Sequence, residues 1–120
     1  MRDRTVLVLE LIRNPRPDAL IIEELARYGL ASDAPLAMVS RTDFITMLQQ
    51  FKTGTLEAQE FKEWASRLLG RRDIEFEFGQ EGAVVEALFW LAYEEITEWE
   101  NNQLCRHIES MLERRRKRRD

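Results

Sequence analysis

EGAVVEALFWLAYEEITEW, residues 81–99, decides how the chain folds. Val84, Val85, Leu88, Leu91, Ala92, Ile96 and Trp99 recur at helical spacing and make a broad apolar stripe, which Phe89 and Trp90 widen further. A helix apolar around so much of its circumference belongs at the centre of a core, and the spacing predicts one from Glu81 to Trp99. Asn101 and Asn102 break it. Asn102 then caps a last helix, whose Leu104, Cys105, Ile108, Met111 and Leu112 face inward.

Upstream, Asp73–Phe78 (DIEFEF) alternates apolar and acidic residues, which is a strand pattern. Its only evident partner is the stretch 6–11, so it reads as an extended linker, with a two-stranded pairing as the alternative. Before it lie two helices joined by a very short turn. Ser40, with Asp43 three residues on, forms a capping-box variant, and Phe44, Met47, Leu48 and Phe51 make the apolar face up to Gly54. Thr55 caps the second helix, where Leu56, Phe61, Trp64, Ala65 and Leu68 point inward up to Gly70. So short a connection makes the pair an antiparallel hairpin.

Nearer the start, Asp18 caps a helix reaching Tyr28, with Gly29 as its left-handed stop. Residues 30–39, containing Pro35, read as a connection. Thr5–Ile12 (TVLVLELI) is short and apolar, so its periodicity fits helix or strand. A helix ending before Pro15 is the better reading, because the residue before proline avoids the helical region. The fold class is therefore all-α: a compact bundle of five or six helices, with an extended segment at 73–78. Residues 1–113 form a single helical domain and residues 114–120 a basic tail.

Composition supports this. The 120 residues are 44% hydrophobic and contain only three Pro and five Gly, few breakers for a chain of one domain's length. No apolar run approaches the roughly 18 residues of a membrane span. Arg2 and Arg4 precede Val6–Leu9, but Glu10 and Arg13 cut that run too short for a signal segment. With one cysteine, Cys105, no disulfide forms within the chain. The expected location is the cytoplasm.

Charge is the uneven quantity. Residues 1–113 hold 12 basic and 21 acidic side chains. Arg114, Arg115, Arg116, Lys117, Arg118 and Arg119 are gathered at the end. Between Asp73 and Cys105 there are nine acidic residues and no Lys or Arg. Glu75, Glu77, Glu81, Glu94, Glu95, Glu98 and Glu100 are the candidate partner-binding residues, because an acidic surface steers basic partners towards it. The same residues also fit an ordinary solvated face.

The tail has three readings: a grip on nucleic-acid phosphates through its six cations, a return onto the acidic body, or a solvated end. No aromatic residue is interleaved in it to stack on bases. Catalysis finds little support. One His and one Cys, His107 and Cys105, cannot build a tetrahedral zinc site. Glu94, Glu95 and Glu98 lack the Glu-x-x-His partners of a di-iron helix pair. No Gly-rich segment opens a helix as a phosphate loop does. The expectation is a non-enzymatic protein without metal or cofactor.

The segment FKTGTLEAQEFKEWASRLL, Phe51–Leu69, resembles small helical bacterial immunity proteins of the colicin D immunity type. The likeness extends over about residues 42–112 and consists of a helix ending in Phe-x-x-Gly followed by a capped helix with Glu-Phe and Trp. The resemblance implies a compact helical bundle that neutralises a toxic nuclease domain by placing acidic residues in its basic substrate cleft. The expected partner is then a basic protein, a bacterial toxin domain. Two rivals stand beside it: a nucleic-acid-associated regulator working through Arg114–Arg119, and a helical homodimer or scaffold joined through surplus aromatics at Phe89, Trp90 and Trp99.

Overall fold

In a computed structural model, the structure describes residues 3–29, 32–79, 82–96 and 99–117. Side chains are described as far as Glu113. Among these residues are six helices: α1 (Arg4–Arg13), α2 (Ala19–Ala26), α3 (Arg41–Lys52), α4 (Ala58–Leu69), α5 (Ala83–Tyr93) and α6 (Asn101–Lys117). Two three-residue strands, β1 (Ala37–Val39) and β2 (Ile74–Phe76), join them. The fold is an all-α bundle with this small sheet attached. Thr5–Ile12 is helical, within α1.

The extended segment pairs with a stretch that carries no alternation of its own. β1 and β2 run parallel, with Ala37 opposite Ile74, Met38 opposite Glu75 and Val39 opposite Phe76. Leu36 N–H donates to Asp73 O at 2.8 Å and Glu77 N–H to Val39 O at 2.9 Å, continuing the ladder at both ends. Parallel strands need a long crossover, and the α3–α4 pair supplies it. Residues 6–11, the partner considered from sequence, are in α1. Residues 37–39 are a strand within the predicted connection.

Local signals set most helix ends. Asp18 accepts from Ile21 N–H at 3.0 Å and starts α2. Ser40 Oγ accepts from Asp43 N–H at 3.0 Å, while Asp43 Oδ2 accepts from Ser40 N–H at 2.9 Å. That reciprocal pair satisfies two otherwise orphaned donors at the start of α3. Gly54 closes the hairpin turn at φ 85°, a left-handed conformation that favours glycine.

Several expected helix boundaries differ, and α2 ends at Ala26 rather than Tyr28. Thr55 is not the cap of α4: the N-cap residue is Glu57, whose N–H donates to Glu60 Oε1 at 2.9 Å. Asn102 lies inside α6, which starts one residue earlier with Leu104 N–H donating to Glu100 O. Most consequentially, α5 stops at Tyr93 rather than Trp99. Glu94 is extended (φ −79°, ψ 148°). Lys62 Nζ, from α4, donates to Ala92 O at 2.8 Å and Glu94 O at 2.7 Å. A cation at a helix C-terminus satisfies carbonyls that have no intrahelical donor.

The core includes a cluster of aromatic rings from α3 and α4. Phe44 packs edge-on to Trp64 and Phe61, with centroids 5.4 and 6.0 Å away, and Phe51 lies 5.4 Å from Phe61. Trp64 Nε1–H donates to Ile12 O at 3.0 Å, occupying a terminal carbonyl of α1. Seven residues of α5 are buried, including Val84, Leu88 and Leu91. It packs between α4 and α6. The molecule measures 41 × 36 × 20 Å, so its thin dimension holds about two helix diameters. Among the described residues, no helix is long and apolar enough to cross a membrane.

Candidate docking surface at the end of α5

Phe89 and Tyr93 are one helical turn apart on the face of α5 away from the core. Their rings stack with centroids 5.9 Å apart. Phe89 is 49% exposed and Tyr93 77% exposed, the largest value among the exposed large hydrophobic side chains of the described residues. Immediately after them the chain leaves the helix, and Glu94 and Glu95 stand exposed.

The early stop of α5 redirects the chain beyond it. Ile96 turns back into the core at 2% exposure. Trp99 N–H donates to Ile96 O at 3.1 Å, and the Trp99 ring packs edge-on to Trp90 at 5.1 Å. His107, on α6, sits against both rings, 4.4 Å from Trp90 and 5.3 Å from Trp99. A continuous helix would carry the Trp99 side chain away along its axis. The break instead holds it half-buried beside the two carboxylates. Glu94, Glu95, Trp99 and Gln103 line one open groove of about 470 Å³. Glu100 is exposed just before α6.

The predicted acidic residues therefore separate. Glu94 and Glu95 share the groove, and Glu100 is close to them in sequence. Glu75 is exposed on β2, opposite Met38. Glu77 is engaged within the fold: its Oε1 accepts from Arg41 N–H at 2.6 Å, at the first turn of α3. Glu81 and Glu98 lie outside the described residues, as do Arg118 and Arg119. Helix α6 extends through Lys117, so Arg114, Arg115, Arg116 and Lys117 continue the helical backbone beyond the expected domain end at 113.

Asp73, the first acid of the run, has a different role. It is fully buried and clamped by two arginines. Arg71 Nε donates to Oδ1 at 2.9 Å and Nη2 to Oδ2 at 2.8 Å, while Arg4 Nη2 donates to Oδ2 at 3.1 Å. Burial pushes its pKa up, but the hydrogen bonds and charges of Arg71 and Arg4 outweigh that and hold it below the ordinary value. Arg71 also donates to Gly29 O, and Arg4 lies over the Tyr28 ring at 5.5 Å. The clamp thus ties α1, β2 and the end of α2 together.

Sequence reasoning picked out Phe89 and Trp99 as surplus aromatics and missed Tyr93. Its signal was present, four residues after Phe89 and off the buried stripe. Lys62 was missed as well, and nothing in its local sequence marks it as the residue that ends α5. Cys105 is buried, and burial raises its thiol pKa. Among the described residues, no three His, Cys, Asp or Glu side chains gather as a metal-holding group. Comparison with family models, with curated proteins and with solved structures finds no match to this chain.

Proposed function

We propose that the chain is a non-enzymatic binding protein of the cytoplasm that docks a basic protein through the end of α5. It would act as immunity-type proteins do, covering the cationic cleft of a bacterial toxin domain. The observation that carries this reading is Tyr93, 77% exposed and stacked on Phe89, next to the exposed carboxylates of Glu94 and Glu95. Exposed aromatics are typical binding anchors. Carboxylates around them raise the association rate with a cationic partner and select against acidic ones.

The test is a pull-down from the native lysate at low and at high salt. It compares the wild-type chain, the Tyr93→Ser/Glu94→Lys/Glu95→Lys variant and a chain lacking residues 114–120. The expected result is one basic protein, retained without the tail, weakened by salt and lost in the triple variant at an unchanged melting temperature. Equal recovery by the variant overturns the reading. Nucleic acid recovered only when the tail is present replaces it with regulation through Arg114–Arg119.

A second reading has its own support. The Phe89–Tyr93 stack is the kind of exposed apolar feature that joins two copies of a chain. Sedimentation equilibrium separates the two. A dimer abolished by Tyr93→Ser alone favours self-association.

A further inference from the structure

Leu11 of α1 and Ile22, Leu25 and Ala26 of α2 wall a pocket of about 410 Å³, to which Arg67 and Arg71 add the polar groups. None of the groove residues at the end of α5 lines it. A volume of this order lies within the range of roughly 300–1,000 Å³ seen for small-ligand sites, and a mainly apolar wall with a few polar groups is their usual make-up.

The two arginines differ in what they already hold. Arg71 is committed to Asp73 and Gly29 O. Arg67 has no hydrogen bond or ion pair among the described residues, and its Nη1 is buried without a partner. Desolvation draws its pKa down, countered only by the charge of Glu63 one turn earlier. Glu63 is itself exposed and accepts from Gln59 Nε2. The position of Arg67 in the last turn of α4 gives it the favourable end of the helix dipole, but supplies no acceptor. Arg67 is half-buried as a residue, and a buried polar atom such as its Nη1 is otherwise hydrogen-bonded. An apolar pocket beside a guanidinium lacking its acceptor is complementary to a molecule with an apolar chain and a single anionic head.

We propose that this pocket binds a small aliphatic carboxylate, its chain against Leu11, Ile22 and Leu25 and its carboxylate paired with Arg67. The charge selects the anion and the wall selects the chain. The site is independent of the docking surface and does not rest on that reading.

The probe is octanoate, followed by the methyl resonances of Leu11, Ile22 and Leu25 in the full chain. Octanoate is expected to shift these resonances saturably. Octanol, with the same chain and no charge, should bind about tenfold more weakly or worse, as should octanoate to the Arg67→Gln variant. Ile22→Trp, at a position 43% exposed, should fill the pocket and abolish the shifts of the Leu11 and Leu25 methyls while leaving the melting temperature unchanged. This second variant keeps the location testable if Arg67→Gln fails to fold. Unshifted methyls at millimolar octanoate overturn the proposal. Equal affinity for octanol, or undiminished binding by Ile22→Trp, overturns it as well.

Discussion

Asp73 and Glu94 both belong to the same run of acidic residues, yet the fold treats them in opposite ways. Asp73 is withdrawn from water and accepts four hydrogen bonds from Arg4 and Arg71. Glu94 stands exposed, and what the fold uses there is its backbone carbonyl, which accepts from Lys62. A buried carboxylate is tolerable only when it is paired and hydrogen-bonded, so the Asp73 region is committed to holding elements together. An exposed carboxylate such as that of Glu94 costs the fold little. Net charge along the sequence does not distinguish the two. The cations that the fold turns onto each carboxylate do: Arg71 from two residues away and Arg4 from α1 close on Asp73.

The sharpest way to break this contrast is Asp73→Ala. It leaves Arg4 and Arg71 without their common acceptor and should cost about 3 kcal/mol, read from urea unfolding. A loss as small as that of a surface substitution would mean that the clamp is dispensable. Acid should act in the same direction. The folded pKa of Asp73 is lowered from the ordinary 3.8, so the unfolded chain takes up its proton first. Its contribution is present above about pH 4 and is lost as pH falls through the folded value. Glu60, lowered by its hydrogen bond from Arg16, adds an effect of the same sign. The acid sensitivity below pH 4 should therefore shrink in Asp73→Ala without vanishing, as urea titrations at several pH values would show.

Ser40→Ala probes the contrast at a helix start, removing one half of the reciprocal cap on α3. The expected loss is about 1 kcal/mol by thermal unfolding. Glu94→Lys or Tyr93→Ser should do least, within about 0.5 kcal/mol of wild type, while removing partner binding. A large destabilisation by either would turn the end of α5 into a structural element and remove it as a docking surface.

The parts of the fold legible in the sequence are those written within four residues of one another. Asp18 with Ile21, Ser40 with Asp43, and the left-handed Gly54 are short-range devices, and each appears where its local signal places it. The parts not legible are settled from a distance. Residues 37–39 become a strand because residues 74–76 lie beside them. Thr55 cedes the cap of α4 while Arg16, from the turn before α2, holds Glu60 at 2.6 and 2.7 Å and the Thr55 carbonyl at 2.6 Å. The same holds for the candidate site. Glu94 and Glu95 were readable as charge, but the groove they share with Trp99 exists only because α5 stops where Lys62 reaches its end.

The crossover between β1 and β2 bears on how the chain reaches this structure. Contacts between α3 and α4 span few residues and form at little cost in loop entropy, whereas Ala37 can meet Ile74 only after the whole intervening segment is gathered in. The helical hairpin shortens that search by bringing its own ends together. The expected order is hairpin first and strand pairing with the Asp73 clamp late. Substitutions in the Phe44–Trp64 cluster should then slow refolding, while loss of Arg4 or Asp73 should mainly quicken unfolding. On that account the acidic clamp acts as a latch, governing how long the native chain persists more than how fast it forms.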